Sequence, residues 1–223
     1  MVLDTPRIAV ISAVSAAIGP AASAIDANVT GVEVWNILDD RLLTDARAHG
    51  IRTEERERMG RLIDHAVRGG ADGVLVTCSL YGSVVRSLAG HIDVPVLTAD
   101  DAAFAEIAEL DYSRIILVAP LAEALEDSTA RLRASLPRHS ALTIVGVIAE
   151  GAHTATSPLA LAESIAAATA PVRDSADAIF LAQYSLAPAA EAVAELTGLP
   201  VITTPGSAAR SLASLVAHER ASA

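Results

Sequence analysis

An internal duplication restricts the fold of this chain more than any other feature. Gly70-Ala71-Asp72-Gly73-Val74-Leu75-Val76-Thr77-Cys78 returns 105 positions later as Ser175-Ala176-Asp177-Ala178-Ile179-Phe180-Leu181-Ala182-Gln183. Val94-Pro95-Val96-Leu97-Thr98 returns at the same spacing as Leu199-Pro200-Val201-Ile202-Thr203, and Arg7-Ile8-Ala9-Val10-Ile11 returns as Arg114-Ile115-Ile116-Leu117-Val118. Three apolar runs in the same order at nearly constant offset imply two homologous lobes. The boundaries that follow are residues 1–98 plus 205–223 for the first lobe and 99–204 for the second.

Each lobe reads as alternating strand and helix. Ile8–Ser12, Val32–Ile37, Gly73–Thr77 and Val94–Thr98 are short, continuously apolar and rich in Val and Ile. Such runs suit strands buried on both faces, as in parallel sheets covered by helices. Between them, Glu54–Val67 places Met59, Leu62, Ile63, Ala66 and Val67 on one stripe and stops at Gly69-Gly70, the pattern of an amphipathic helix with a glycine end. Ala102–Glu109 and Ala187–Leu196 read the same way. The expected fold is α/β, with two pseudo-symmetric, flavodoxin-like lobes of short parallel sheet flanked by helices and a ligand cleft between them.

Composition narrows the function classes. With 16 Lys+Arg against 27 Asp+Glu, the chain has a net charge of −11 and repels polyanions, so nucleic acid is excluded as a partner. One cysteine in 223 residues excludes a disulfide scaffold. No run reaches the ~18–20 apolar residues of a membrane span. Ile8–Ala24 is apolar, and Ala22-Ser23-Ala24 has the form of a signal-peptidase site. However, the preceding Met1–Arg7 carries one acid and one base, and Gly19-Pro20 interrupts the run, which favours a buried first strand. A soluble cytoplasmic protein is expected, with no membrane partner. A homo-oligomer is compatible with so Ala-rich a chain, although no interface motif can be read.

In open parallel sheets, ligands bind beyond the carboxyl ends of the strands. In the first lobe those ends carry Ser12, Asn36, Thr77-Cys78-Ser79 and Thr98. In the second they carry Ala119, Glu150, Gln183-Tyr184-Ser185 and Thr203-Thr204. Cys78 stands before an expected helix, Tyr81–Leu88, whose N-terminal amides favour a thiolate. A thiolate can take a proton from carbon or attack a carbonyl. The competing reading is a buried small hydrophobe, the usual fate of a single cysteine. Against it stand Thr77, Ser79 and Tyr81, which predict a rim too polar for a packing site.

At these residues the chain resembles the aspartate/glutamate racemase superfamily, which includes hydantoin racemases, maleate isomerases and arylmalonate decarboxylases. The resemblance rests on Trp35-Asn36-Ile37-Leu38-Asp39-Asp40, Val76-Thr77-Cys78-Ser79, Pro95-Val96-Leu97-Thr98-Ala99-Asp100, Glu150-Gly151-Ala152 and Leu181-Ala182-Gln183-Tyr184-Ser185. It implies a two-lobed enzyme without a cofactor. It also implies a racemase chemistry in which one thiol per lobe removes and returns the proton alpha to a carboxylate. Cys78 matches the first-lobe cysteine, while Gln183 occupies the second-lobe position. An amide is neither acid nor base near neutral pH.

The resemblance therefore implies a single-thiol enzyme acting on a small carboxylate. The reaction is of the isomerase/racemase or decarboxylase type, with Cys78 as the only sulfur acid/base or nucleophile. The alternative is a non-catalytic protein that binds or senses small carboxylates. Negative charge developing on the substrate needs a cradle. Candidates are Ser12, Ser15, Asn36, Ser79, the backbone at Leu80, and Gln183, Tyr184 and Ser185, with Asp100, Ser128 and His153 in support. Where superfamily members often carry a threonine pair, this chain has Leu121-Ala122-Glu123-Ala124.

Several of these residues have ordinary structural roles as well. Asn36 suits a turn or cap as readily as a ligand. Asp39 and Asp40 suit a helix N-terminus better than catalysis. Asp100 matches a recurrent acid of the resemblance and suits a cap, a hinge or support for Cys78. His153 can act as an acid or base, or can simply be a solvated loop residue. The other histidines have no metal-ligand spacing with one another or with Cys78, so no metal is expected. Arg52–Arg61 reads as a salt-bridged helix face.

Overall fold

The computed structural model describes residues 5–222, without the side chains of residue 153 and residues 216–222. In chain order the elements are β1 (Arg7–Ser12), α1 (Ile18–Asn28), β2 (Glu33–Leu38), α2 (Arg41–His49), α3 (Thr53–Arg68), β3 (Gly73–Val76), α4 (Gly82–Ala89), β4 (Val96–Leu97) and α5 (Asp101–Glu109). They continue as β5 (Arg114–Ala119), α6 (Ala122–Ser135), β6 (Thr143–Ile148), α7 (Pro158–Thr169), β7 (Ala178–Leu181), α8 (Ala190–Thr197), β8 (Val201–Thr203) and α9 (Thr204–Ser222). Two compact units result. One comprises the chain up to Ala102 together with Pro205 onward, and the other is Ala103–Thr204. Among the described residues, no helix is long and apolar enough to cross a membrane.

Each unit holds a four-stranded parallel sheet, ordered β2-β1-β3-β4 in the first and β6-β5-β7-β8 in the second. The repeated sequence becomes repeated register. Ile8 is opposite Gly73 and Val74 opposite Val96 in one sheet, while Ile115 is opposite Ala178 and Ile179 opposite Val201 in the other. The aspartate of each echo closes the same amino-terminal corner. Asp72 accepts from the Arg7 N–H at 2.7 Å, and Asp177 accepts from the N–H groups of Ser113 and Arg114 at 2.7 and 2.8 Å.

Helices cover both faces of the second sheet. Ile115, Leu117 and Phe180 pack against α5 and α6 through Phe104, Ile107 and Leu132. Ile116, Val118 and Leu181 pack against α7 and α8 through Leu161, Ile165 and Val193. In the first sheet, Ile11, Val74 and Val76 pack against Leu42, Met59, Ile63 and Val84 from α2, α3 and α4. On its other face Gly73 approaches Ile8 and Leu212, the latter on α9, so closely that a Cβ there would lie 3.1 Å from Ile8.

Two expectations about the elements are corrected. Apolar composition led to an expectation of burial on both faces for all four first-lobe strands, and β1 and β3 meet it. β2 leaves Glu33, Asn36 and Leu38 exposed, because it lies at the sheet edge where only one side is paired and covered. The helices after β3 and β7 also start later than their composition indicates. Each is preceded by a 3-10 turn, Ser79–Tyr81 and Tyr184–Ala189 respectively, and Pro188 lies within the second.

Candidate functional site

In a sheet ordered 2-1-3-4, neighbouring connections leave in opposite directions between β1 and β3, and this switch point opens a crevice at the carboxyl ends. Cys78 is placed there by backbone bonds. The Thr77 N–H donates to the Ile11 carbonyl at 3.0 Å, and the Thr77 hydroxyl donates to Ser12 Oγ at 3.1 Å. The chain turns at Cys78, whose carbonyl accepts the Tyr81 N–H at 3.1 Å and starts the 3-10 turn that runs into α4. Cys78 is half-buried, with core residues on one side, and is the chain's only cysteine. The turn is anchored from within by Tyr81, fully buried, whose hydroxyl donates to the Leu42 carbonyl at 3.1 Å.

The second unit repeats this backbone around Gln183. The Ala182 N–H donates to the Val118 carbonyl at 3.1 Å, and the Gln183 carbonyl accepts the Leu186 N–H at 3.0 Å. Both corner residues are extended, with φ,ψ of −94°,108° at Cys78 and −131°,141° at Gln183. Gln183 is half-buried, Tyr184 buried and Ser185 exposed. An amide thus occupies, in its own unit, the corner that holds the thiol in the other.

A model of the Asp/Glu/Hydantoin racemase family matches residues 10–213. The chain belongs to this family. No curated protein matches the sequence. Among solved structures, it is similar to allantoin racemase from Klebsiella pneumoniae, at 20% identity and a TM-score of 0.73 over 96% of this chain and 89% of that one. Glutamate racemase RacE1 from Bacillus anthracis is 14% identical with a TM-score of 0.68, covering 96% and 82%. A double mutant of arylmalonate decarboxylase in its liganded form is 18% identical with a TM-score of 0.60, covering 95% and 92%. These likenesses carry the two-lobed α/β fold, and the family match makes the chain an enzyme type of the racemase/isomerase group.

The remaining candidate residues of this racemase-family chain are dispersed. Ser79 is half-buried and Leu80 exposed in the turn after Cys78, and Ser15 is exposed at the start of the 3-10 turn Ser15–Ala17. Asn36 is exposed but sits two residues inside β2, opposite Val10. Ser12 is fully buried against Thr77. Ser128 is buried in α6, where it accepts from Arg131 Nη2 at 3.2 Å. Asp100 is buried beside Thr98, and the Thr98 hydroxyl accepts the Asp101 N–H at 3.1 Å as α5 begins. His153 has its backbone in the 3-10 turn Glu150–His153, and its side chain lies outside the described residues. Among the described residues, no three His, Cys, Asp or Glu side chains gather to hold a metal ion.

The rim is less polar than its residue types predict. Thr77 and Tyr81, expected to face the ligand side, are buried instead. Burial pushes the Tyr81 phenol up to about 12. The negative charges of Cys78, Glu55 and Asp39 add to the rise, and Arg58 opposes it. At neutral pH the phenol therefore keeps its proton and remains a donor.

Sequence reading also missed how α2 is fixed. Arg58 on α3 donates to both carboxylate oxygens of Asp39, through Nε at 2.6 Å, and to Asp45 at 2.9 Å. Asp39 also accepts the Arg41 N–H at 3.2 Å, one residue ahead of Asp40, the N-cap of α2, and so helps to orient the start of that helix. The only available signal for Arg58 was its place in a charge run, which does not reveal a partner 19 residues away.

Proposed function

We propose that this chain is a cofactor-independent enzyme acting at the carbon alpha to a carboxylate of a small acid. In this reading the Cys78 thiol is its only sulfur acid/base or nucleophile. The observation that carries the proposal is the unequal pair of corners: a partly exposed thiol after β3, and Gln183 at the equivalent corner after β7. Racemisation by opposed thiols needs one group to take a proton and another to supply one, and a primary amide does neither near neutral pH.

Two single-thiol reactions fit. In decarboxylation, the bond to the departing carboxylate breaks to release CO2 and leave a carbanion. The thiol gives that carbanion its proton, and solvent reprotonates the thiolate. In isomerisation, the thiolate adds to one alkene carbon, the former double bond rotates, and elimination returns the thiolate. Both need stabilisation of negative charge by preorganised donors. The N–H groups of Ser79 and Leu80 and the side chains of Ser79, Ser15 and Asn36 supply these on the first unit.

Gln183 also favours a second reading, a non-catalytic small-carboxylate sensor. Incubation with candidate acids in deuterated water separates the two. Deuterium incorporation, isomerisation or CO2 release that disappears in Cys78→Ala supports the enzyme. Tight binding without turnover that survives Cys78→Ala supports the sensor. Efficient racemisation of aspartate or glutamate by the wild type refutes the single-thiol chemistry.

A further inference from the structure

The duplication supplies an internal control for the corner that carries Cys78. Each unit builds its corner from the same two backbone bonds. The residue before the corner donates to the neighbouring strand, Thr77 to Ile11 and Ala182 to Val118. The residue three positions after the corner closes the turn, Tyr81 onto Cys78 and Leu186 onto Gln183. In the second unit these two positions hold apolar side chains, Ala182 and Leu186, and both are buried. In the first unit the same two positions hold hydroxyls. Thr77 and Tyr81 are also buried, and each hydroxyl is bonded, Thr77 to Ser12 Oγ at 3.1 Å and Tyr81 to the Leu42 carbonyl at 3.1 Å.

Burying a hydroxyl costs free energy unless it finds a partner, and the second unit forms its corner without either one. The Tyr81 partner is also particular to the first unit. Leu42 lies on α2, whereas among the described residues β6 is followed before α7 only by the 3-10 turn Glu150–His153. The added helix is itself held, since Arg58 on α3 donates to Asp39, just ahead of α2, at 2.6 Å and to Asp45, within it, at 2.9 Å. Two side-chain ties therefore flank the partly exposed stretch Cys78-Ser79-Leu80, one to β1 and the other to α2.

We propose that Thr77 and Tyr81 are positioning residues for the Cys78 thiol, which they hold by tying the corner on both sides. The proposal rests on the reading of Cys78 as the reacting group, because a group that must meet one atom in one geometry gains from a support that does not open. Burial is the largest influence on the Tyr81 phenol and the charge of Cys78 comes next, which places the hydroxyl within electrostatic range of the thiol it steadies.

The test reads Cys78 through its rate of alkylation by iodoacetamide in the full chain, which holds no other cysteine. Tyr81→Phe and Thr77→Val keep nearly the same shape and remove one tie each. Each should be alkylated about fivefold faster, since loss of one net hydrogen bond multiplies the opened population by about that factor. Thr77→Ser keeps the hydroxyl and should return the rate to that of the wild type. Gly31→Ala is the control for stability alone: it strains a left-handed glycine of the same unit, φ 67°, with open space around the added Cβ. It should lower the thermal midpoint and leave the alkylation rate unchanged. Unchanged rates in both Tyr81→Phe and Thr77→Val overturn the proposal, as does an equal acceleration in Gly31→Ala. For an acid that the wild type turns over, kcat should fall in both variants with KM nearly constant. Wild-type kcat in both variants overturns the proposal and leaves the enzyme reading intact. Faster alkylation in both variants, with no acid turned over by the wild type, upholds the two ties and removes the enzyme reading.

Discussion

Replacing Tyr81 with Phe should give a stability change that reverses sign with pH. The ring is fully buried and its hydroxyl donates to the Leu42 carbonyl at 3.1 Å, so at pH 8 the variant loses one buried neutral hydrogen bond, worth about 1 kcal/mol. At alkaline pH the balance changes. The phenol has its ordinary pKa of 10.0 in the unfolded chain and is pushed up to about 12 in the fold, chiefly by burial and then by the Cys78 charge. Below pH 10.0 both states keep the proton and the stabilisation is complete. As pH rises towards 12 the unfolded chain releases its proton first, and the wild type loses at most about 2.7 kcal/mol by proton linkage. Near pH 11.5 that loss amounts to ~2 kcal/mol, which leaves the Phe variant more stable by ~1 kcal/mol. Urea unfolding followed through Trp35, the chain's one tryptophan, reads the unit that contains Tyr81, and titrations common to both proteins cancel in the difference. A difference of constant sign and size from pH 8 to pH 11.5 would refute the buried, proton-retaining phenol.

Arg58→Ala should cost about 1–3 kcal/mol in chemical denaturation, since it leaves Asp39 and Asp45 without their shared cation. Arg58→Lys should recover only part of this, because an ammonium cannot make the forked contact. The Arg52 side chain, hydrogen-bonded to Glu55, holds that carboxyl below its ordinary 4.5. The stabilisation is thus present above that value and lost as pH falls, and Glu55→Gln should lower the thermal midpoint at neutral pH but progressively less in acid. Gly198 ends α8 at φ 72° with open space around its absent Cβ, so Gly198→Ala should cost about 1 kcal/mol through backbone conformation alone, as equilibrium unfolding would record. Gly69→Ala would place a Cβ 2.5 Å from the Trp35 ring, and should both destabilise by about 1–3 kcal/mol and change the Trp35 emission.

The architecture was legible because a duplication constrains two sheets at once. Residues matched by spacing, such as Val74 with Ile179 and Pro95 with Pro200, fall into matching registers. Burial was less legible, because edge and centre strands share a composition and differ only in what lies beside them, as β2 shows. The strand end that carries Cys78 was legible in position and its side-chain orientations were not. Thr77-Cys78-Ser79 stands where a strand end was expected, but chemical type alone cannot tell that Thr77 turns inward to Ser12 while Leu80 turns outward. Contacts between residues far apart in the chain, such as Tyr81 with Leu42 and Arg58 with Asp39, leave no local pattern at all.

The first unit is interrupted. Its final helix arrives only after the whole of Ala103–Thr204 has been made, and Ala208, Ala209 and Leu212 of that helix are completely buried. On the ribosome, the half begun first is therefore the last to be finished, whereas the inserted half is contiguous and has all its residues in hand earlier. Truncation at the carboxyl terminus should accordingly injure the lobe that bears the thiol while sparing the one that bears the amide.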